Sequence, residues 1–322
     1  MFSSKKCEIK KINNAIYSQN SSFFAQMLKL ITYLFLLSAF SAYSQILDNR
    51  EGKTFGDVPF FNESFIKRNK LRTIKGNYST KASLDYIKKS KDVYYYEFNA
   101  QGQLIQDYRT QYGDTIINTY QYDSLGRIEL IRKSDNNGFQ SYHYTYDKKN
   151  RITSQEFRRD VNKVGSKTNF VLDRTFIIST EKFRYTDLEG LNYKKFYLNH
   201  VDKVYKEEFF YYNKDGYLIK QEGRMKMGSG LNVTTYSYDE LGRVKEKLAI
   251  KQLSSKSTTK WIYKYDEHSN VLSQHYYKNN KYLTEYQIVY AEETLLLDAI
   301  ITRDDETNFV TILDFVDYTF FD

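Results

Sequence analysis

The chain of 322 residues contains one proline, one cysteine and only 14 glycines. The cysteine, Cys7, lies ahead of a segment that has the features of a signal peptide. The mature chain is therefore predicted to have no disulfide, no thiol nucleophile and no cysteine for lipid attachment. Long periodic stretches rich in alanine and leucine are also missing, which disfavours a helical protein.

Aromatic residues, by contrast, are abundant. They make up 17% of the chain, with 32 tyrosines and 22 phenylalanines. Tyrosine and phenylalanine favour the pleated, half-buried surface of a β-sheet. A disordered chain would be poor in them. The composition therefore predicts an ordered, all-β protein.

Residues 27–44 have the pattern of a signal peptide. Lys29 provides a short positive region, residues 30–40 an apolar run, and Ala42 and Ser44 the small residues that precede a cleavage site. Cleavage is predicted before Gln45, and the apolar run is short for a membrane span of about 20 residues. We expect Met27 to be the true start and residues 1–26 to be a mis-assigned upstream extension. The protein is thus predicted to be secreted (periplasmic, outer-membrane-associated or extracellular), without a stable transmembrane segment after cleavage.

The charge of the mature chain is modest. The whole sequence carries a net charge of +8, but residues 1–44 contain five lysines and one glutamate, so a net charge of +4 remains after cleavage. Acidic and basic residues are interspersed, as in the segments 206–208 and 245–247. This pattern is typical of a solvated surface and not of a nucleic-acid interface.

A short phrase recurs along the chain: aromatic, any residue, aromatic, Asp or Asn, two residues, Gly, a polar residue, an aliphatic residue. Asp or Asn at the first position of a type I turn accepts a backbone hydrogen bond from two residues on, and Gly at the fourth accepts a positive φ. Each phrase therefore predicts a β-hairpin with a three-residue loop and a G1 bulge. The Asp or Asn of the six copies is Asn99, Asp123, Asp147, Asn213, Asp239 and Asp266.

Pairing the strands around such a loop places an aromatic residue opposite an aliphatic one beside every turn, as in Tyr122 with Ile128, and the Asp opposite an Arg, as in Asp123 with Arg127. Cross-strand pairs of this kind contribute about 0.2–1 kcal/mol each. The predicted aromatic and aliphatic pairs are Phe98 with Leu104, Tyr122 with Ile128, Tyr146 with Ile152, Tyr212 with Leu218, Tyr238 with Val244, and Tyr265 with Val271.

The Tyr-Asp pairs at 122–123, 146–147, 238–239 and 265–266, with Gly-Arg-Ile or Gly-Arg-Val at 126–128 and 242–244, resemble the YD-repeat (Rhs-type) family. The resemblance covers about residues 94–275 and implies hairpins that join edge to edge into one long, twisted or curling antiparallel sheet. In large members of that family the sheet forms a hollow shell around a toxin. Here we expect an open or partly closed sheet, because the repeats are too few for a closed shell, and we do not carry over the toxin-delivery role.

The domain organisation follows from these assignments. Residues 94–280 are predicted to form the hairpin repeats, residues 45–93 N-terminal capping strands and residues 281–322 C-terminal capping strands. A degenerate copy is expected around Phe183, Tyr185, Asp187 and Gly190. The flanks would cover sheet edges that could otherwise recruit another chain.

No constellation predicts catalysis. The repeated aspartates are explained by their place in a turn, and the chain has no calcium loop, phosphate-binding glycine motif or Gly-x-Ser-x-Gly motif. His268 and His275 are close in sequence but lack a third ligand for zinc. We therefore predict no enzyme, no catalytic or metal site and no cofactor.

Binding is the remaining class. Four tyrosines (Tyr94, Tyr95, Tyr142 and Tyr211) are expected on the sheet face opposite the paired tyrosines, where they would be either exposed for a glycan or protein partner or covered by sheet curvature or a flank. Trp261 is an isolated aromatic anchor candidate.

The leading hypothesis is an exported, non-catalytic repeat protein of the cell envelope, a structural module or one that binds an unknown protein or glycan. The alternative is a reduced relative of Rhs-type toxin-carrier or toxin-neutralising proteins. An outer-membrane barrel is disfavoured because residues such as Lys206 and Glu208 would place charges against lipid.

Overall fold

The computed structural model describes residues 45–111, 113–135, 138–252 and 255–322, which form one compact unit. The predicted extension 1–26 and signal peptide 27–44 lie outside the described residues. After a short 3-10 helix and one α-helix, the described chain is almost entirely strand. The elements are the 3-10 helix Arg50–Gly52, α1 (Glu63–Arg68), β1 (Leu71–Lys81), β2 (Lys88–Phe98), β3 (Leu104–Gln111), β4 (Asp114–Tyr122), β5 (Ile128–Asp135), β6 (Gly138–Tyr146), β7 (Ile152–Asn162), β8 (Leu172–Asp187), β9 (Tyr193–Leu198), β10 (Val204–Tyr212), β11 (Leu218–Met225), β12 (Leu231–Tyr238), β13 (Val244–Gln252), β14 (Lys256–Tyr265), β15 (Val271–Lys278), β16 (Lys281–Tyr290), β17 (Leu297–Asp304) and β18 (Val310–Phe320).

The eighteen strands form one closed antiparallel barrel. Each strand pairs with the next in sequence, and β18 pairs with β1, for example through Tyr78 and Leu313. The prediction of an all-β antiparallel fold is confirmed. The prediction of an open or partly closed sheet is wrong, because the flanks pair with each other and supply the strands that the repeats lack. Closure removes the edges that the flanks were expected to cap.

The repeat turns have the predicted geometry. In the turn at 123–127, the Asp123 amide donates to the Arg127 carbonyl and the Gly126 amide to the Asp123 carbonyl, both at 2.9 Å. The Asp123 side chain accepts from the Leu125 and Arg127 amides. Gly126 has φ +77°, and Asn150 and Ser269 take the same left-handed conformation in their turns. All six predicted aromatic and aliphatic pairs are found in register.

The tyrosine of the Tyr-Asp pair also links neighbouring hairpins. Its hydroxyl donates to the backbone carbonyl of the aliphatic residue in the preceding hairpin, as Tyr238 does to Leu218 at 2.7 Å. Three further bonds of this kind come from tyrosines without a following Asp, namely Tyr185 in the degenerate copy and Tyr290 and Tyr318 in the C-terminal flank. The bonds are Tyr122 to Leu104, Tyr146 to Ile128, Tyr185 to Ile152, Tyr238 to Leu218, Tyr265 to Val244, Tyr290 to Val271 and Tyr318 to Leu297.

The arginine after the turn glycine makes a second contact between neighbouring hairpins, again between one hairpin and the next along the chain. Arg127 pairs with Asp123 of its own turn at 2.6 Å, and its guanidinium lies 4.5 Å from the ring centre of Tyr146 in the next repeat. Arg151 over Tyr185 and Arg243 over Tyr265 repeat this contact at 4.4 and 4.6 Å. In these three repeats, the Asp and Arg of one turn and the Tyr of the next repeat therefore form one structural unit.

We expect Tyr238→Phe to lower the free energy of unfolding by about 1 kcal/mol, because it removes one intramolecular hydrogen bond and leaves the Leu218 carbonyl without that donor. Urea unfolding measures the effect. Tyr86→Phe is the matched control, since Tyr86 is 74% exposed and its change should be close to zero. Equal stability of the two variants would contradict a stabilising role for the link.

Residues 45–70, which we call the inner segment, lie within the ring. Asn49 donates to the Tyr265 hydroxyl at 2.8 Å, and Phe55 stacks on Tyr286. On the far side of the ring, Phe61 contacts Phe98 edge to face at 5.0 Å. A segment that contacts β2, β14 and β16 together must lie on the concave side of the sheet. Barrels of sixteen to eighteen strands are too wide for wall side chains to fill, and the inner segment fills part of this interior.

The inner segment carries much of the core. Ile46, Leu47, Phe65 and Ile66 are at most 2% exposed and pack with the first inward layer of the wall. Helix α1 begins at a capped position, because the Asn62 side chain accepts from the Ser64 and Phe65 amides. Burial of these side chains stabilises the segment by about 1.5–3 kcal/mol each relative to exposure.

Candidate functional site

A β-bulge that was not predicted from the sequence determines which side chains line the interior of the barrel, which we call the lumen. Tyr122 pairs with Ile128 as predicted, but Gln121 pairs with Leu130, so one extra residue stands in β5. A one-residue insertion reverses the inside and outside alternation for the rest of the strand. The same register shift follows the turn in six further hairpins, those of β2–β3, β6–β7, β10–β11, β12–β13, β14–β15 and β16–β17.

The four tyrosines proposed as a binding surface are divided between the two faces. Tyr94 and Tyr142 share the inward face with Tyr96 and Tyr146, because they are an even number of residues from them on the same strands. Tyr95 and Tyr211 point outward. None of the four is exposed; all are half-buried. The prediction that all four share the face opposite the paired tyrosines is therefore wrong.

The other predicted candidates have structural contacts. Trp261 is half-buried on the inner wall, with its ring centre 5.8 Å from that of Tyr276. His268 lies in a repeat turn, whereas His275 is on β15, 3.7 Å from Glu285 of β16. In the described ranges, no group of three or more His, Cys, Asp or Glu residues could hold a metal ion. None of the helices described is long and apolar enough to cross a membrane.

The most distinctive polar group of the inner wall is the carboxylate of Asp107, which is only 6% exposed. It accepts hydrogen bonds from the Tyr120 hydroxyl at 2.8 Å and from the Asn118 amide at 2.9 Å. Burial raises the pKa of Asp107, and these hydrogen bonds together with the positive charges of Arg109 and Lys133 only partly oppose the rise. Each oxygen of this carboxylate thus accepts one side-chain hydrogen bond.

A cavity of about 230 Å³ opens beside Asp107, between the wall and residues 56–60 of the inner segment. Its wall side is formed by β2, β3, β4 and β5, and includes Tyr94, Arg109 and Lys133. A second cavity of about 420 Å³ lies next to it and is lined by Tyr78, Thr80, Ser90, Asp92, Arg109, Thr110, Phe309 and Thr311. Both cavities include Arg109. We call the two together the lumenal cleft.

The cations of the lumenal cleft are not neutralised by ion pairs. Arg109 is exposed into the cleft and Lys133 is half-buried. Within the described part of the chain, neither forms an ion pair with a carboxylate; both act on Asp107 only through space. Three carboxylates line the same cleft, those of Asp57 and Asp107 in the first cavity and that of Asp92 in the second. Asp92 accepts from the Ser90 hydroxyl at 2.8 Å.

A third cavity, of about 360 Å³, lies near the repeat turns between the start of the inner segment and β11–β14. Both of its arginines are already paired with carboxylates, and Glu51, its remaining charged residue besides Asp48, lies 3.9 Å from Lys53. Arg50 contacts Asp48 at 2.6 Å, and Arg243 contacts Asp239 of its own turn at 2.7 Å. This cavity therefore offers a ligand less free charge than the lumenal cleft does.

Acidic and basic groups also cluster on β8, β9 and β10. The Tyr197 hydroxyl donates to Glu208 at 2.5 Å, and Lys206 pairs with the other oxygen of Glu208 at 2.6 Å. Lys195 lies between the rings of Phe183 and Tyr197. Burial lowers the pKa of Lys195, although nearby carboxylates act to raise it. Tyr197, Lys206 and Glu208 therefore satisfy one another.

Sequence reasoning missed the residues of the lumenal cleft for a specific reason. A strict alternation from the Phe98 and Leu104 pair would place Gln106 and Tyr108 inside the barrel. The bulge instead pairs Tyr96 with Asp107 and Tyr94 with Arg109, so that these two charged residues face inward. The signal available in the sequence was the repeated polar residue three positions after the aliphatic one, as in Asp107, Gln155, Gln221 and Gln274.

No family model matches the chain, and no curated protein matches it. A porin-like protein from Bacteroides uniformis is 13% identical over 79% of this chain and 97% of that chain, with a TM-score of 0.35. A porin-like protein from Bacteroides vulgatus is also 13% identical, over 74% of this chain and 96% of that chain, with a TM-score of 0.33.

A crystal structure of TcdB2-TccC3-TEV is 14% identical over 66% of this chain, with a TM-score of 0.30. The present chain spans only 13% of that much longer one. These identities and TM-scores are too low to assign a family or a function, so the function is argued from the geometry of the lumen and of the outer wall.

Proposed function

We propose that this protein is an exported, non-catalytic binding module of the cell envelope, and that it binds its ligand within the lumen. The observation that carries the proposal is the lumenal cleft, where two cations that form no ion pair with the described residues stand beside tyrosine rings in a cavity large enough for a small ligand. The predicted signal peptide supports export.

The outer face of the barrel carries charged residues that favour contact with water. Lys194 and Lys226 both pair with Glu207 on the outer face, at 2.8 and 2.5 Å. On the next strand, Lys220 pairs with Glu222 at 2.6 Å. A lysine or arginine facing the middle of a bilayer costs about 2–4 kcal/mol. Several charged pairs on this face therefore favour an aqueous environment over lipid.

The environment of the buried Asp107 carboxylate supports the proposal that the protein is not an enzyme. A general acid or base needs an oxygen that can reach a substrate proton. Each oxygen of Asp107 already accepts one side-chain hydrogen bond, from Tyr120 or Asn118, and the residue is only 6% exposed, so little of its carboxylate is open to a substrate. Arg109 and Lys133 beside it suit recognition of a negative charge.

The alternative role, that of a reduced relative of toxin-carrier or toxin-neutralising repeat proteins, is supported by one observation. The repeat turns are linked through Tyr, Asp and Arg, the residues on which the resemblance to the YD-repeat family rests. A toxin partner that co-purifies with the chain and is released when the lumen is blocked would favour this role over the binding of a small ligand.

Export and binding can be tested with the full chain. Expressed with its own N-terminus, the protein should be recovered outside the cytoplasm, and N-terminal sequencing should begin at Gln45. The exported protein is then applied to a glycan array and to an immobilised envelope extract. Ligand entry into the lumen should change the emission of Trp261, the only tryptophan of the chain. Full-length protein in the cytosol would contradict the proposed function.

A further inference from the structure

We propose that the lumenal cleft is a binding site for acidic carbohydrate, and that Arg109 receives a sugar carboxylate. The inference rests on the proposed function, because it requires the lumen to be the binding compartment. It goes further by naming a ligand class and the residues that select it.

Arg109 holds the central position of the site. It lines both cavities, so a ligand that spans them must pass its guanidinium. Arginine presents a planar set of donors that matches a carboxylate with two parallel hydrogen bonds. Lys133 lines the first cavity, the one beside Asp107, and adds a second positive charge. An anionic group thus finds two cations that form no ion pair in the described chain. The carboxylates of Asp57, Asp92 and Asp107 line the same cleft, so the carboxylate of a ligand must lie against the two cations and away from these acids.

The aromatic walls favour a sugar ring next to the carboxylate. Tyr78 lines one cavity and Tyr94 the other, and their ring centres are 6.2 Å apart. Tyrosine offers an apolar face to ring C–H groups and a hydroxyl to polar ones. Burial raises the pKa of Tyr78 to about 12, so its hydroxyl stays protonated and able to donate at physiological pH.

Side chains with hydroxyl groups that could bind the hydroxyls of a sugar line the same cleft. Thr80, Thr110 and Thr311 line the second cavity. The Thr110 hydroxyl accepts from the Val93 amide at 2.8 Å and can still donate its proton to a ligand, whereas a threonine hydroxyl without such a bond can both donate and accept. Asp92 and Ser90 lie in the same cavity. An acidic peptide would use the cations but would leave most of these hydroxyls without partners. A sugar ring that carries several hydroxyls and one carboxylate uses both sets of groups.

The test measures binding of tri-galacturonic acid to the exported protein by isothermal titration calorimetry. Its methyl ester serves as the neutral match, and a tri-glutamate peptide as an acidic probe without sugar rings. The acid should bind at least tenfold more tightly than the ester and the peptide, and its affinity should fall as salt is added. Arg109→Gln should weaken binding of the acid at least tenfold, and Lys133→Gln to a smaller extent.

Arg224→Gln is the matched control, because Arg224 lies on the outer wall and its side chain is 61% exposed. It should leave the affinity for the acid unchanged. The Arg109→Gln variant should unfold at the same urea concentration as the wild type, since its side chain makes no ion pair in the described chain.

Three results would overturn the acidic-sugar site: equal affinity for acid and ester, an unchanged affinity in Arg109→Gln, or binding of tri-glutamate as tight as that of the acid. Absence of binding by all three probes would overturn it as well. The proposed function fails separately, if the protein stays in the cytosol or if neither the array nor the envelope extract provides a ligand.

Discussion

Gly102→Ala should destabilise the protein far more than Gly228→Ala, although both glycines have nearly the same left-handed backbone. Their φ angles are +87° and +84°. A side chain in this region costs about 1–2 kcal/mol at either position. At Gly102 a Cβ would also overlap the Glu63 carbonyl and lie 2.8 Å from the Lys67 amide, both in α1, whereas at Gly228 nothing stands within 4 Å.

The additional cost at Gly102 is that of overpacking, about 1–3 kcal/mol, because α1 must move away from the turn. Urea unfolding of the two variants measures the difference. Proteolysis of the inner segment gives a second readout, since a displaced α1 would expose the buried Phe65 and Ile66. Equal losses of stability in the two variants would show that α1 does not pack against this turn.

Asp160→Ala should cost about 3–5 kcal/mol, the loss expected when one partner of a buried ion pair is removed. Asp160 contacts Arg132 at 2.8 Å on the outer wall, and the two side chains are 1% and 11% exposed. Thr175 also donates to Asp160, at 2.7 Å. Without Asp160, the Arg132 guanidinium would remain buried, 4.2 Å from the ring centre of Phe170, with no countercharge from this residue.

The same pair predicts a pH dependence. Burial alone would raise the pKa of Asp160, but hydrogen bonds from Arg132, Thr175 and Ser141 and the Arg132 charge outweigh it, so the net pKa is lowered. A carboxyl whose folded pKa is lowered contributes its stability above its unfolded pKa of about 3.9. That contribution is lost as the pH falls through the folded pKa. The stability difference between wild type and Asp160→Asn should therefore be constant above about pH 5 and shrink in more acidic solution.

Asp173→Ala is the matched control for Asp160→Ala. Asp173 pairs with Arg174 at the surface, where the two side chains are 40% and 71% exposed. Exposed pairs contribute about 0–1 kcal/mol. A loss of similar size in both variants would contradict the assignment of Asp160 to a buried pair, and a pH-independent difference would contradict its lowered pKa.

The local chemistry of the hairpins could be predicted because it depends on neighbours in sequence. Asp123 and Gly126 specify their turn through hydrogen bonds that span four residues. The geometry of the turn then places Tyr122 opposite Ile128. The degenerate copy was placed correctly within one residue, since its turn closes between Leu188 and Asn192. Backbone angles and local hydrogen bonds determine these features.

The roles of the tyrosine and arginine could be predicted only in part. The sequence shows that Tyr265 and Arg243 recur in fixed places, but it does not show that they meet. Tyr265 donates to Val244, and Arg243 covers the Tyr265 ring, because consecutive hairpins lie side by side. These contacts join residues about twenty positions apart, and they depend on the packing of one hairpin against the next.

The sequence by itself determined the all-β class, the repeat turns and the aromatic and aliphatic pairs beside them, because each rests on interactions between residues a few positions apart. Only the tertiary structure decided that the sheet closes, that residues 45–70 lie inside it, and that Asp107 and Arg109 face the lumen. Closure joins β1 to β18 across nearly the whole described chain. A single bulged residue reverses the two faces of a strand. Closure leaves no periodic signal in the sequence, and the bulge leaves only the polar residue that recurs three positions after the aliphatic one.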